Sequence, residues 1–294
     1  MADATPGAGS KLAIDTSSIA TGSTVVEFEA CSVGKQGSHI DTAGLRGTVE
    51  RVSERTRESV NNVGGQLSLY PTFAELQLLM PLILGGTPSG TAYPVAETLP
   101  EFNLQVLKSN NTTKVFTYAG LKIASAMFES SEGGPLKLTL GMVGKTETVG
   151  TSFTPTGSAG LGRKYMHHDL ALTLQSAARK ARSLSVAIAN SLSVNWYNSV
   201  NATDIILGDR QVSVAGEFPY CAANYDLYDQ ALTGAGGTAV YTDGTNVMTL
   251  TFGRLQVPPE SPQVDGRQDV PLRLNMTSRR YSTTPSIAAT LASS

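Results

Sequence analysis

The sequence predicts a mainly β protein built from two tandem related domains, each a β-sandwich or half-barrel with one packed α-helix and a long loop. The first observation is a stretch that occurs twice, at 116–123 with 135–140 and again at 250–257 with 271–276. Residues in both copies alternate between apolar and polar, the pattern of a strand with one buried face. The second observation is the nearly constant offset, 134 residues for the first parts and 136 for the second. A repeat of this length indicates a duplicated domain rather than a solenoid unit.

The repeat also divides the chain. We expect a first domain over 1–148 and a second over 165–281. The segment 149–164 is rich in Gly, Ser, Thr and Pro, which is typical of a linker. The last segment, 282–294, is rich in Ser, Thr and Ala, and we predict a mobile tail there. Within each repeat an acidic-Gly pair is expected to turn a hairpin.

Composition excludes some classes of function. Only 16% of the 294 residues are charged, below the roughly 25% of an ordinary soluble domain. Such a surface fits coverage by other subunits, and it equally fits a neutral soluble β-protein. The net charge of −2 does not supply the basic surface that tight nucleic-acid binding requires. We expect no signal peptide and no membrane span. Cys31 and Cys221 are predicted to be separate thiols rather than a disulfide framework.

Early strands are predicted at 11–16 and 25–30, and a long connection follows over 32–62. A connection of this length inside a compact domain is usually functional or flexible. One interpretation is a solvated helix or ribbon, and the other is an arm that reaches a neighbouring subunit through complementary charge. The charges in question are Glu50, Arg51, Glu54, Arg55, Arg57 and Glu58.

A helix is predicted after the strand at 66–69. Thr72 and Glu75 form a T-x-x-E capping box, and apolar residues then recur at helical spacing. Gly85 is expected to end the helix, and Pro81 is expected to kink or shorten it because proline lacks a backbone N–H.

The second half repeats this order of elements. Strands are predicted at 170–174, 184–189 and 211–214, with the last matching 66–69. A second helix is expected from about 222 to 232, and further strands follow it.

No catalytic constellation is present in the sequence. It holds no H-E-x-x-H, C-x-x-C, G-x-S-x-G or Walker motif. His167 and His168 are interpreted as loop or strand residues rather than metal ligands. We therefore predict no enzyme activity, no metal and no cofactor. Trp196 and Tyr197 fit either a sugar-stacking platform or an aromatic pair in a core or interface.

Three motifs in order carry a family resemblance: GTVER at 47–51, GGQLSL at 64–69 and LQLLMPLILG at 76–85, followed by the paired strands. This order, with the duplication, resembles the tail tube proteins of long-tailed bacteriophages, in a siphophage-type, two-domain version. The resemblance covers most of the first half and, more weakly, the second. It implies a tail-tube-like fold, in which each domain is a β-sandwich with a helix outside.

The resemblance implies a structural virion protein whose rings stack into a hollow tube that conducts phage DNA into the host. The long loops typically reach the adjacent ring, here at 32–62 and 191–209. Contacts between rings or subunits are therefore expected at Glu50, Arg51, Glu54, Arg55, Arg57, Glu58, Trp196 and Tyr197.

The resemblance implies hexameric rings for single-domain subunits, so two fused domains per chain imply a trimeric ring with pseudo-sixfold symmetry, closed by pairing of edge strands. The implied partners are other copies and other tail proteins: tape measure, terminator and distal tail protein. Genomic DNA is expected to pass through the lumen without tight binding, and no membrane is involved. The implied location is the phage tail of the virion, after assembly in the host bacterial cytoplasm.

Other readings stay open at this point. The main alternative is a virion decoration protein or a tandem β-sandwich module that binds carbohydrate, which would not polymerise. A secretion-system tube protein usually has one domain, so the duplication argues against it.

Overall fold

The computed structural model describes residues 9–41, 53–108, 114–158, 161–222, 224–229, 234–258, 264 and 270–293. Two helices are described, α1 (Phe73–Leu84) and α2 (Asp226–Asp229). The described strands are β1 (Lys11–Asp15), β2 (Thr24–Val26), β3 (Ala30–Cys31), β4 (Gly34–Asp41), β5 (Thr56–Leu69), β6 (Ala92–Tyr93), β7 (Phe102–Leu107), β8 (Val115–Ser131), β9 (Lys137–Gly144), β10 (Thr146–Gly150), β11 (Gly157–Ser158), β12 (Leu170–Leu174), β13 (Ala177–Arg179), β14 (Ser183–Asn195), β15 (Asp204–Pro219), β16 (Gly237–Thr242), β17 (Asn246–Phe252), β18 (Arg254–Gln256), β19 (Pro271–Arg279) and β20 (Ile287–Ser293). The prediction of a mainly β fold is confirmed.

Nine of the first ten strands form two sets that share the long strand β8, whereas β6 pairs with β20. In one set the pairing order is β2-β1-β7-β8, with β10 also paired to the start of β8. In the other, the order is β4-β5-β9-β8, and β8 takes part through its later residues. Gly120 lies between the two parts of β8 with a positive φ of 64°, a backbone conformation that glycine adopts without steric cost. A register shift between Ile123 and Ser125 follows it. These irregularities let one strand serve both sets.

The last nine strands also form two sets. The order in one is β13-β12-β16-β17, with β20 paired to β17. The order in the other is β14-β15-β19-β18. These two pairing orders match those of the earlier strands. The order β13-β12-β16-β17 corresponds to β2-β1-β7-β8, and β14-β15-β19-β18 corresponds to β4-β5-β9-β8.

Within the larger sheet, one antiparallel pairing joins the first strands to the last, and outside it β6 pairs with β20. The later part of β8 pairs with β14, from Ser131 opposite Ser183 to Ser125 opposite Ala189. Eight strands therefore lie in one continuous row, β4-β5-β9-β8-β14-β15-β19-β18. We call this row the long row.

Helix α1 forms where the sequence predicts it. The Thr72 hydroxyl accepts from the Glu75 backbone N–H at 3.4 Å, while the Glu75 carboxylate accepts from the Thr72 N–H at 2.8 Å. This is the predicted capping box. The helix ends at Gly85, whose φ is 88°, and it continues past Pro81 to Leu84. Apolar residues such as Leu76 and Leu79 are fully buried, so α1 packs its apolar side into the core.

The repeated stretch does not form two simple hairpins. In its first copy β8 runs without a loop to Ser131, and residues 122–129, rather than 116–123, pair mainly with β9. In its second copy the residues separate: Leu250 and Phe252 lie in β17, beside β16 and β20, and β18 pairs with only the end of β19. The alternation predicted strands correctly, but it does not specify which strand is the neighbour. The first predicted turn is present at Gly133, with φ of 75°, and the second, 265–266, lies outside the described residues.

Four other expectations differ from the structure. In its described part the connection 32–62 consists mainly of the paired strands β4 and β5, with a 3-10 turn at Ser53–Arg55, and β4 is half-buried or exposed at every position. Within the described residues the second helix is α2 alone, and 230–233 lie outside them. The predicted mobile tail contains β20, in which Ile287, Ala289 and Leu291 are buried. Because apolar residues occupy every second position of this segment, it forms a strand with one side buried in the core. Part of the predicted linker forms β11, which pairs with β2.

Candidate assembly surface

One side of the long row faces away from the core. On β9, Leu138, Leu140 and Met142 are buried, and the alternate side chains point to the opposite side. The same alternation holds along β5, β8, β14, β15 and β19. We call this side the open face. It carries Gln66, Ser68, Ser125, Met127, Glu129, Lys137, Thr139, Ser185, Ala187, Ala189, Gln211, Ser213, Ala215, Glu217, Arg273, Asn275 and Thr277.

Charge on the open face is sparse and paired. Lys137 lies opposite Glu129 in the strand register and places its Nζ 2.6 Å from Glu29 Oε2. That hydrogen bond lowers the pKa of the Glu29 carboxyl. Arg273 Nε lies 3.2 Å from Glu217 Oε2 on the neighbouring strand. Glu129 and Glu217 are thus matched by Lys137 and Arg273. Arg254 and Arg279 lie opposite each other on β18 and β19, on the same side as Thr277, and add positive charge at that end of the row. Small polar residues make up most of the rest.

A shallow cavity lies on the open face where β8 meets β14. Its volume is about 660 Å³, and residues that line it include Tyr70, Glu129, Lys137, Glu217 and Arg273. It spans the pairing that joins the two groups of strands. We treat it as a part of the open face, because seven of the sixteen residues that line it belong to that face.

The two long hairpins, β4–β5 and β14–β15, meet at Asn61. The indole N–H of Trp196 donates to the Asn61 carbonyl oxygen at 2.9 Å, and the Asn61 N–H donates to the Val200 carbonyl oxygen at 2.8 Å. The Asn61 amide also donates to Glu58 Oε1 at 3.0 Å and to Asn201 Oδ1 at 3.2 Å. Glu58 and Trp196, two of the predicted contact residues, are thus linked through Asn61, which forms a hydrogen bond with each of them.

The remaining predicted contact residues are placed as follows. Tyr197 is 72% exposed and has a positive φ of 48°. Arg57 is exposed on β5, opposite Ile40. Arg55 is half-buried and ends the 3-10 turn. Glu54 contributes its backbone to that turn, and its side chain, like Glu50 and Arg51, lies outside the described residues. The structure therefore gathers Arg57, Glu58, Trp196 and Tyr197 on the paired hairpins.

Sequence reasoning missed the apolar component of this region. Ile40, Val60, Val200 and Ile206 are at least 38% exposed and lie on the same two hairpins as Tyr197. We call these five residues the hairpin patch. Single apolar residues among charges carry no signal in a sequence, because only the folded hairpins show that they lie on neighbouring elements. Exposed apolar residues concentrated on one pair of contacting hairpins are a feature of interaction surfaces.

Buried polar residues between the two groups of strands form a structural network. The Tyr241 hydroxyl lies 2.8 Å from Ser130 Oγ, which lies 2.9 Å from His167 Nδ1. His167 Nε2 lies 3.0 Å from the Ala181 carbonyl oxygen. A carbonyl oxygen only accepts, so Nε2 carries the proton and Nδ1 accepts from Ser130. Burial raises the pKa of Tyr241 to about 12, so the phenol is neutral and able to donate.

Other classes of site find no support in the described part of the chain. Within it, no group of three or more His, Cys, Asp or Glu side chains is arranged to hold a metal ion. Among the described helices none has the length and apolar character needed to cross a membrane. Cys31 and Cys221 are free thiols, as predicted.

A long sheet with sparse charge on its open face and exposed apolar residues on its long hairpins has the features of a structural assembly protein. The comparison with protein families identifies which one: the model of the phage tail tube protein family matches residues 7–278. The chain belongs to that family, and the resemblance stated from the motifs is confirmed. A search of curated proteins gave no match.

Proposed function

We propose that this tail tube protein polymerises as stacked rings into the hollow tube that conducts phage DNA into the host. The observation that carries the proposal is the long row. Among described residues, β4 pairs on one side only, with β5, and the other end of the row is β18 beside β19. Unpaired sheet ends are templates for pairing with another chain. Copies joined end to end would close the row into a ring.

A duplicated, two-domain chain and a trimeric ring are part of this proposal. The matching pairing orders of the first ten and last nine strands support the duplication. So does the position of a helix after β5 and another after β15. If each chain supplies two related units, three chains supply six, and the ring has pseudo-sixfold symmetry.

The open face would line the lumen. Its charges are few and of both signs, and the excess of basic side chains is confined to Arg254 and Arg279 at the β18–β19 end, so most of the face neither attracts nor repels a phosphate backbone strongly. Tight binding to single strands requires a basic groove with stacked aromatic side chains, and the open face carries neither. DNA would therefore slide without being held. In the virion this tube would meet the tape measure, terminator and distal tail proteins, after assembly in the host cytoplasm.

Electron microscopy of the purified protein over a range of concentrations tests the proposal directly. We expect rings or tubes with an open channel, and sedimentation analysis of the ring species is expected to give the mass of a trimer. Featureless particles of monomer mass at every concentration would refute it.

A further inference from the structure

We propose that the second sheet, β13-β12-β16-β17-β20-β6, carries a binding site for a neutral sugar chain on its outer side. The site is a cavity of about 390 Å³ that extends over β12, β16 and β17. Six of the ten residues that line the cavity carry a hydroxyl group, namely Thr173, Ser176, Thr238, Thr251, Tyr281 and Thr284. The proposal goes beyond assembly of the tube, because the site is complete within one chain.

The alternation of side chains shows which side of this sheet is free. Ala239 and Leu250 are buried in the core. Their neighbours Thr238 and Thr251 are half-buried and lie on the opposite side of the sheet, because successive side chains of a strand point to opposite faces. The cavity therefore opens on the side of the sheet that faces away from the core.

Three of the hydroxyl side chains form a row across the strands. Thr173 lies opposite Thr238, and Thr238 lies opposite Thr251. Neighbouring strands are about 4.8 Å apart, so the row is roughly 10 Å long. Within the described residues, none of these three hydroxyls has a hydrogen-bond partner in the protein. Each can donate and accept, and the row therefore matches a ligand that presents several hydroxyl groups in a line.

Tyr281 supplies an aromatic surface at the edge of the cavity. Its side chain is 58% exposed. The backbone around it is fixed, since the Tyr281 N–H donates to the Thr284 carbonyl oxygen at 3.0 Å and the Thr284 N–H donates back at 2.9 Å. Arg254 also contacts the ring, with its guanidinium carbon 4.8 Å from the ring centroid. A ring that is held in place and still exposed can pack against the apolar C–H face of a sugar.

The lining of the cavity indicates that the ligand is neutral. None of the ten lining residues is charged. An ionic ligand would give up hydration without gaining a counter-charge from the lining, which is unfavourable. A neutral sugar instead exchanges its hydrogen bonds to water for bonds to the threonine hydroxyls, and its apolar face is covered by the tyrosine ring.

In the proposed tube this side of the sheet would lie away from the lumen. The second sheet and the long row contribute to one core, with Leu250 from the former and Val214 from the latter. If the open face of the long row lines the lumen, the outer side of the second sheet lies toward the exterior. This placement rests on the proposed function, whereas the sugar site does not. A site there would let the tail contact neutral glycans on a cell surface.

Isothermal titration calorimetry tests the site, at protein concentrations below those at which rings form. The probes are linear hexasaccharides of glucose, mannose, galactose and N-acetylglucosamine, and the acidic control is a hexasaccharide of galacturonic acid. We expect at least one neutral probe to bind with a dissociation constant of about 1 mM or lower, and the acidic control to bind at least about tenfold more weakly. Absence of binding for all neutral probes would overturn the inference.

Two variants test the two parts of the site. Tyr281→Ala removes the aromatic surface, and we expect it to weaken binding of the neutral probe at least about tenfold. Thr238→Val keeps the shape of the side chain but removes its hydroxyl, and we expect a loss of about three- to tenfold. The controls are Tyr225→Ala, at a tyrosine that is 51% exposed elsewhere, and Thr249→Val, on the same side of β17 but outside the cavity. Circular dichroism and thermal melting verify that each variant is folded.

The controls decide between a specific site and general adhesion. Affinity that is unchanged in Tyr281→Ala would overturn the inference, and so would an equal loss in Tyr225→Ala. The outcome is also separate from that of the proposed function. A wild type that forms rings but binds no neutral probe would overturn the sugar site alone. A wild type that binds the probe but never assembles would overturn the proposed function alone.

Discussion

The indole N–H of Trp196 donates to the carbonyl oxygen of Asn61 at 2.9 Å, across 135 residues of sequence. Trp196 follows β14, and Asn61 lies near the middle of β5. Asn61 is also nearly fully buried, so its carbonyl has little access to water as an alternative partner. This bond, with those from Asn61 to Val200 and Asn201, holds the two long hairpins together and thereby sets the shape of the hairpin patch.

Trp196→Phe tests this bond. The change keeps an aromatic ring but removes the N–H, which leaves the Asn61 carbonyl without that donor. We expect the free energy of unfolding to fall by about 1–2 kcal/mol, measured by urea denaturation. Tyr197→Phe is the control, because the exposed Tyr197 ring keeps its position and we expect its change to be within about 0.5 kcal/mol. Equal stability of both variants would show that the bond does not hold the hairpins.

The hairpin patch makes a prediction about the stacking of rings. Val60→Lys places a charge among exposed apolar side chains, and burying that charge between rings is unfavourable. We expect single rings to form normally and tubes to be shortened or lost, as seen by electron microscopy. Leu161→Lys is the control, since Leu161 is fully exposed and is not part of the patch. Tubes of normal length from Val60→Lys would exclude the patch from the contact between rings.

The ion pair between Arg179 and Asp226 predicts a dependence of stability on pH. The Arg179 side chain is 1% exposed, and its Nη2 lies 2.8 Å from Asp226 Oδ2. This hydrogen bond lowers the pKa of the Asp226 carboxyl below its ordinary value of 3.8. A lowered pKa in the folded state stabilises the fold above the unfolded pKa, and the contribution is lost as the pH falls below 3.8 through the lowered value.

Asp226→Asn is therefore expected to be less stable than the wild type at pH 7, because it removes a negative charge that lies against a buried guanidinium. The difference between the two proteins should shrink as the pH falls below about 4. Urea denaturation at several pH values between 3 and 7 measures it. Glu132→Gln is the matched control for removing an exposed carboxylate. If the difference in the free energy of unfolding between the two proteins stayed constant with pH, Arg179 would not be the cause of the lowered pKa of Asp226.

The network of Tyr241, Ser130 and His167 predicts that replacing two buried tyrosines by phenylalanine has different effects on the free energy of unfolding. Tyr241→Phe removes the donor to Ser130, and we expect a loss of about 1–2 kcal/mol in the free energy of unfolding. Tyr165 is also fully buried, but its hydroxyl has no hydrogen-bond partner among the described residues. Tyr165→Phe is therefore expected to be neutral or slightly stabilising. Thermal and urea denaturation of the two variants check both statements, and equal losses would refute them.

Local signals in the sequence predicted local structure well. The capping box at Thr72 and the left-handed Gly85 specify the two ends of α1, because each end is determined by hydrogen bonds within a few residues. The apolar alternation specified strands for the same reason. That β8 belongs to two sets of strands was not predictable. A strand shows the same apolar alternation whether it keeps one neighbour along its whole length or changes neighbours, as β8 does near Gly120. Glu58 and Trp196 both form hydrogen bonds with Asn61. Because Trp196 is far from Asn61 in the sequence, no local sequence pattern indicates that these residues meet.

The last strand, β20, shows how composition can mislead. Ser, Thr and Ala are common in mobile tails, yet Ile287, Ala289 and Leu291 are buried and alternate with half-buried residues, namely Ala288, Thr290 and Ala292. β20 pairs with β17 along its length, and α1 packs against it. The Leu291 N–H also donates to the Thr91 carbonyl oxygen at 2.9 Å. The final residues of the described chain therefore complete the sheet beside α1.

Leu291→Ala measures that contribution. Removing most of a buried leucine side chain leaves a cavity under α1, and we expect the free energy of unfolding to fall by about 2–4 kcal/mol. Ser293→Ala, two positions on and exposed, is the control and should change stability by less than about 0.5 kcal/mol. Urea denaturation distinguishes the two. If the segment were a mobile tail, both variants would unfold like the wild type, and β20 would have no part in the core that supports the long row.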